Sequence, residues 1–281
     1  MLKQRIITAL LMLAVLVPAV FYPLPAVFAG VALILISAAA WEWARMNQSG
    51  PLASLAIGAM CAAVCLASWY GGFLYAPLKS LWIVAGSAWV LLGAWLLHRG
   101  VAVWASVPKS VRLVGGVLAL WVAWIAVVQA RIEGINFLFS IFVLVWAADV
   151  FAYFAGRSLG GQFFSRKLAP SISPGKTWEG AFGGMVGVLV CAFVWRHLDA
   201  TMSLGAASLY TRLGVVHVAF MVLAVLFLAV MSIVGDLVES LFKRSAGIKD
   251  SSGLLPGHGG VLDRVDALLP ILPLAMMLST L

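Results

Sequence analysis

The chain has 281 residues, of which 64% are hydrophobic and only 10% charged. Soluble domains are close to half apolar and about a quarter charged, and a chain this short has too much surface to hide so many apolar side chains from water. An ordinary water-soluble fold is therefore excluded, and lipid must be the solvent for most of the molecule. Eighteen Lys and Arg against ten Asp and Glu give a formal charge of +8. These basic residues lie between apolar runs rather than in one stripe, which argues against a nucleic-acid partner. They read instead as topology signals and contacts to anionic lipid headgroups.

A membrane-crossing helix needs about 20 mostly apolar residues. Nine such segments are predicted in chain order: Ile6 to Leu24, Val27 to Trp43, Leu52 to Trp69, Leu78 to Leu97, Leu113 to Ala130, Ile135 to Ala155, Gly180 to Trp195, Leu213 to Val238 and Val261 to Leu281. Lys3 and Arg5 before the first run give it the look of a signal peptide, but the run is too long and no Ala-x-Ala follows, so a retained helix is expected. The turn Tyr22-Pro23-Leu24-Pro25 separates the first two segments or marks a re-entrant break. Trp41, Trp43, Trp69, Tyr70, Trp178 and Trp195 fall near segment ends, as in an aromatic belt. Cys61, Cys65 and Cys191 all lie inside apolar runs and are expected to pack rather than to form a disulfide framework or bind zinc.

With the N-terminus in the cytoplasm, fourteen of the eighteen Lys and Arg fall on the inner side, leaving Lys79, Arg131, Arg196 and Arg212 outside. That asymmetry predicts an N-in, C-out topology. The expected fold is thus an all-α polytopic integral membrane protein of about nine helices. It is read as a single integral domain over 1–281, with N-terminal helices in 1–130 and the helices and inner loops carrying the site in 131–281.

In a bilayer each ionisable group is costly and needs a reason to be there. Asp149 lies well within a predicted span, where it either lines a polar cavity or pairs with Arg157 or Tyr153. The remaining concentration of charge is at the C-terminal end. Asp236, Glu239 and Lys243 are spaced three and then four apart, so they share one helix face. Asp263 and Asp266 are three apart at the start of the ninth segment, where the helix dipole favours acids. The linking loop contains Gly253, Gly257, Gly259 and Gly260, which permit close backbone approach to a ligand. Two acidic helix ends facing one another would suit magnesium, a hard cation that takes carboxylate oxygens and keeps positions open for phosphates. Helix-end charge pairing alone is the simpler alternative, but it would not call for the glycines.

The segment Ser240-x-Phe242-Lys243-Arg244-x4-Lys249-Asp250-x-Ser252-x2-Leu255-Pro256-x-His258-Gly259-Gly260-Val261-x-Asp263-Arg264-Val265-Asp266 resembles the signature of phosphatidate cytidylyltransferases, also called CDP-diacylglycerol synthases. Upstream, Ser173-Pro174-Gly175-Lys176-Thr177-Trp178-Glu179-Gly180 is similar to a second motif of that family. Its Gly-Lys-Thr triplet does not make a P-loop, because position 170 is Pro where that motif needs Gly and no βαβ unit precedes it. The start of the following helix can still offer backbone N–H groups to an anion, with Lys176 as a point charge.

The resemblance implies transfer of a cytidylyl group from CTP to phosphatidic acid, giving CDP-diacylglycerol and pyrophosphate in phospholipid biosynthesis. Asp236 and Asp263 would hold Mg2+, with a second ion such as K+ left open, and Asp266 and Asp250 would assist. Lys176, Lys243, Arg244, Lys249 and Arg264 would divide between the triphosphate and the lipid phosphate, and His258 would orient a phosphate oxygen. Ser173, Gly175, Lys176, Thr177, Gly259 and Gly260 would form the nucleotide-binding loops. The expected setting is the cell's inner membrane with the site facing the cytoplasm, CTP and phosphatidic acid as substrates, membrane lipids as surroundings, and a homodimer as the expected assembly. A CTP-dependent lipid kinase and a secondary transporter are the alternatives, although the paired broken helices of many transporters have no counterpart here.

Overall fold

The computed structural model describes residues 2–202 and 205–280. Within them the chain forms twelve helices and no strand beyond two isolated bridges, Ala169 with Ser173 and Leu255 with Gly259. The helices are α1 (Leu2–Phe21), α2 (Pro25–Met46), α3 (Pro51–Tyr70), α4 (Lys79–Arg99), α5 (Val101–Ser106), α6 (Lys109–Glu133), α7 (Ile135–Leu159), α8 (Trp178–Thr201), α9 (Leu209–Val216), α10 (Val218–Ser245), α11 (Leu262–Val265) and α12 (Leu268–Ser279). Eight of them, α1, α2, α3, α4, α6, α7, α8 and α10, are long and apolar enough to cross a membrane. The protein is therefore an all-α polytopic membrane protein, as its composition requires.

Two predicted segments are divided differently in the structure. The run from Leu213 to Val238 is interrupted at His217, whose backbone is extended and whose ring Nδ1 accepts the Ala219 N–H, capping α10. Helix α10 then continues past Val238 to Ser245, so Glu239 and Lys243 are helical. The last predicted segment, Val261 to Leu281, is broken at Asp266 and Ala267 into the single turn α11 and the helix α12; Leu281 lies outside the described residues.

Helix α12 has 12 residues, or about 18 Å at the α-helical rise, well short of a bilayer core of about 30 Å. Its start explains the shortfall. Gly235 of α10 packs so closely on the Asp266 carbonyl that a Cβ there would lie 2.8 Å from the oxygen, and Gly235 lies ten residues before the end of α10, about 15 Å along its axis. The loop after α10 thus descends into the bundle before α12 begins. Irregular backbone at that depth is tolerated only where protein or a polar cavity surrounds it. Accordingly α12 is encased by α4, α6, α7, α9 and α10, with Ile271, Leu274 and Ala275 fully buried.

Candidate active site

The site forms where five segments meet: the end of α2, the loop 160–177 with the start of α8, the last three turns of α10, the loop 246–261, and α11. Each loop is fixed by a buried glutamate. Glu179, in the first turn of α8, accepts backbone N–H groups from Gly161 (3.0 Å), Phe163 (3.1 Å) and Phe164 (3.0 Å) through one oxygen. Thr177 caps the same helix, its hydroxyl accepting the Gly180 N–H at 3.0 Å, so this predicted nucleotide contact is engaged in holding the helix start.

Glu42 does the corresponding work for the second loop. It is fully buried near the end of α2. Its Oε1 accepts from Ser252 Oγ (2.5 Å) and Val261 N (3.0 Å), and its Oε2 from Leu262 N (2.8 Å) and Ser251 Oγ (3.2 Å). These bonds bridge more than 200 residues of sequence and pin both the loop and the start of α11. Gly260 makes room for them: a Cβ on it would collide with Ser251 Oγ and Glu42 Oε1. Gly259, at φ +81°, would bring a Cβ to 2.6 Å from Asp263 Oδ2. The glycines thus allow close approach, but to the protein's own carboxylates.

Asp263 is held as tightly. Its Oδ1 accepts from Lys243 Nζ at 2.7 Å, and its Oδ2 from Ser251 N (2.9 Å), Gly260 N (2.8 Å) and Ser251 Oγ (2.9 Å), whose one proton is shared with Glu42. Burial pushes its carboxyl up, but Lys243 and the two backbone N–H groups outweigh that and hold it at about 2. Lys243 also pairs with Glu239 one turn earlier on α10.

Asp236 meets Lys176, Nζ to Oδ2 2.5 Å, which joins the 173–180 motif to α10 one turn before the C-terminal signature begins. Both side chains keep part of their surface open, 24% for Lys176 and 32% for Asp236. Asp149 belongs to the same surroundings, influenced by Asp236 and Lys176, and its side chain is exposed. Arg157 bonds to Tyr153 at 2.8 Å, and neither is a partner of Asp149 among the described residues. Burial, followed by the like charges of Asp236 and Asp149, pushes the Asp266 carboxyl up to about 7.

The structure therefore gathers Lys176, Asp236, Lys243, Asp263 and Asp266 into one charged cluster, with Gly259 and Gly260 shaping its loop. Arg244, Lys249, Asp250 and Arg264 lie at an exposed rim, where Arg244 Nε donates to the Ile172 carbonyl (3.2 Å) and Arg264 Nε to that of His258 (2.9 Å). His258 Nδ1 is buried without a partner. Gly175 occupies an exposed turn with open space around its α-carbon, and Ser173 accepts the Lys176 N–H within that turn. Glu42, Ser251 and the clamping role of Glu179 were not predicted. A lone acid in the apolar run Ala40-Trp41-Glu42-Trp43-Ala44 is the signal that marks Glu42, since such a charge needs a partner.

A metal at this site would find hard oxygen donors. Asp149, Asp236 and Asp266 crowd negative charge with few hydrogen bonds to balance it, the condition a cation relieves. Among the described residues no three acidic, His or Cys side chains converge closely enough to hold an ion unaided.

The family model for the cytidylyltransferase family matches residues 3–281. The chain belongs to that family. It is 38% identical over 287 residues to the phosphatidate cytidylyltransferase of Pseudomonas aeruginosa, covering 97% of this chain and 95% of the relative. The phosphatidate cytidylyltransferase of Haemophilus influenzae is 36% identical, with 97% and 96% covered. That of Bacillus subtilis is 41% identical over 148 residues, 53% of this chain and 49% of the relative. In this cytidylyltransferase, then, the charged cluster between α8, α10 and α11 is the place to look for nucleotidyl transfer.

Proposed function

We propose that this cytidylyltransferase converts CTP and phosphatidic acid to CDP-diacylglycerol and pyrophosphate at the charged cluster between α7, α8, α10 and α11. The observation that carries the reading is the contact of Lys176 with Asp236, which ties the 173–180 motif to the helix that leads into the C-terminal signature and so gathers the charges of both. One substrate is held in the bilayer and the other in water, so the reacting phosphates must meet near the membrane surface. The inner-side excess of Lys and Arg supports a cytoplasm-facing site in the cell's inner membrane.

In this reaction a phosphate oxygen of phosphatidic acid bonds to the α-phosphorus of CTP, and the bond from that phosphorus to the bridging β-oxygen breaks, releasing pyrophosphate. The nucleophile is already anionic, so no strong base is required. The obstacle is repulsion between anions and the charge on the leaving group, which fixed cations offset. Arg244, Lys249 and Arg264 at the rim suit the triphosphate, and Lys176 and Lys243 lie deeper, beside the acids. His258 Nδ1 offers an unused polar atom to a phosphate oxygen. Asp236 and Asp266, with Asp149 nearby, would hold Mg2+, whereas Asp263, expected from the sequence to be a ligand, has both oxygens engaged by Lys243, Ser251 and Gly260 and would position the loop. Bound there, the ion would neutralise phosphate charge and orient the polyphosphate.

Labelled CTP tests the proposal in detergent with phosphatidic acid and magnesium. Label from the α-phosphate or the cytidine should enter the organic phase, and label from the γ-phosphate should leave as pyrophosphate. Transfer of the γ-label to lipid would mean a kinase instead, and no consumption of CTP would refute nucleotidyl transfer.

A further inference from the structure

A cavity lies on a different face of α10. It is a trough of about 590 Å³ between α4, α5, α6 and α10, lined almost wholly by apolar side chains, among them Leu92, Trp104, Leu118, Val238 and Phe242. Its floor uses Gly235, Val238, Glu239 and Phe242, which share one stripe of α10. At 100° per residue, Asp236 and Ser240 project roughly a third of a turn away, toward the charged cluster, with Lys243 between the two faces. The outer walls belong to two membrane-crossing helices, where Leu92 is 58% and Leu118 50% exposed. The trough therefore opens toward lipid and ends beside the residues placed in the active site.

Its polar members are few. Glu239 is paired with Lys243, although neither carboxylate oxygen receives an aligned hydrogen bond. Arg112, in the first turn of α6, has its guanidinium carbon 5.8 Å from the Trp104 ring centre, a buried Nε with no acceptor, and no carboxylate within ion-pair distance among the described residues. An unpaired guanidinium at the end of an apolar trough is complementary to a lipid that carries an anionic phosphate, since Arg forms strong, directional bonds to phosphate oxygens.

We propose that this trough seats an acyl chain of phosphatidic acid, with Arg112 contacting its phosphate. The inference rests on the proposed function, since it names where that lipid substrate is held. Gly115 supplies the means of testing it. This glycine lines the trough, and a Cβ there would meet nothing within 4 Å, so Gly115→Phe adds bulk that starts in open space at the trough wall.

The experiment is photo-crosslinking of the purified full chain with phosphatidic acid carrying a diazirine in one acyl chain, read by peptide mass spectrometry. Diacylglycerol bearing the same chain, which lacks the phosphate, is the comparison. Label from phosphatidic acid should fall on α4 and α6 around Leu92 and Leu118 and be competed by unlabelled phosphatidic acid about tenfold better than by diacylglycerol, the ratio expected from one charge-assisted hydrogen bond. Arg112→Gln should abolish that preference. Gly115→Phe should remove most of the label, whereas Gly30→Phe on α2, which also enters open space, should not. Equal competition by the two lipids, or label indifferent to Gly115→Phe, overturns the proposal. Label that behaves as expected in a protein that fails to consume CTP would sustain the trough and refute the proposed reaction, so the two failures are distinguishable.

Discussion

Glu42→Gln isolates what the buried clamp on the second loop contributes. The carboxylate accepts from Ser252 Oγ and Val261 N on one oxygen and from Leu262 N on the other, where Ser251 Oγ also lies at 3.2 Å with its one proton shared with Asp263. An amide has one oxygen. Whichever way it is turned, its NH2 faces either Val261 N–H or Leu262 N–H, and a hydroxyl can rotate to accept but a backbone N–H cannot. One buried donor is left unpaired, which costs about 1–3 kcal/mol, and the remaining bonds lose their charge assistance. Taking about 2 kcal/mol as the net change, the ratio of held to released loop falls roughly thirtyfold. Side-chain volume is unchanged, so the helices should pack as before. The assay is cytidylyl transfer at saturating CTP together with limited trypsin cleavage after Lys249, in the exposed part of the loop. Turnover should fall by at least about tenfold, cleavage at Lys249 should accelerate, and Glu42→Asp should not rescue either, because its shorter side chain retracts the acceptors. Wild-type turnover together with wild-type protection at Lys249 would refute the reasoning.

Three further outcomes follow from the same geometry. Gly260→Ala places a methyl against Ser251 and Glu42 and should lower both turnover and thermal stability by about 1–3 kcal/mol of strain; an unchanged melting temperature in detergent would show that the loop yields freely. Lys176→Met leaves Asp236 without its cation and should cost more than tenfold in turnover, while the double variant with Asp236→Asn should fall short of the product of the single effects, as expected for side chains in contact; strict additivity would mean that the pair does not act together. The Asp266 carboxyl, raised to about 7 from an ordinary 3.8, binds more protons folded than unfolded, so without divalent cations stability should decline from about pH 4 to 7 and level off above. Asp266→Asn should flatten that slope in melting temperatures measured at pH 5 and pH 8, and an identical slope in the variant would count against the assignment.

Composition alone sufficed for the class of fold, because no other solvent than lipid accommodates so many apolar residues. Most helices were legible as well, since an isolated long apolar run has only one stable form in a bilayer. The last segment was not. Val261 to Leu281 is apolar enough for a full span, but hydropathy does not register that Asp266 is already about 15 Å below the end of α10, an outcome of tertiary packing against Gly235. The acids and cations of the site were legible because charge is scarce and spaced on shared faces. Their individual states were less so: spacing alone does not reveal that Thr177 is spent as a cap, that Asp263 is enclosed by four donors, or that Gly259 and Gly260 make room for carboxylates. Glu42 escaped because its partners lie more than 200 residues away, where no local pattern records them.

The central claim is that the charged cluster joined by Lys176 and Asp236 transfers a cytidylyl group to a membrane lipid. It is tested most directly by following α-labelled CTP and released pyrophosphate together, with the purified protein and its Asp236→Asn variant, in phosphatidic acid micelles with magnesium. The account predicts lipid label and pyrophosphate in equal amounts from the wild type, and loss of both by more than about a hundredfold in a variant that still folds, the scale seen when a charge acting in a phosphoryl-type transition state is removed. Near-normal transfer by folded Asp236→Asn, or pyrophosphate released without label in lipid, would contradict it.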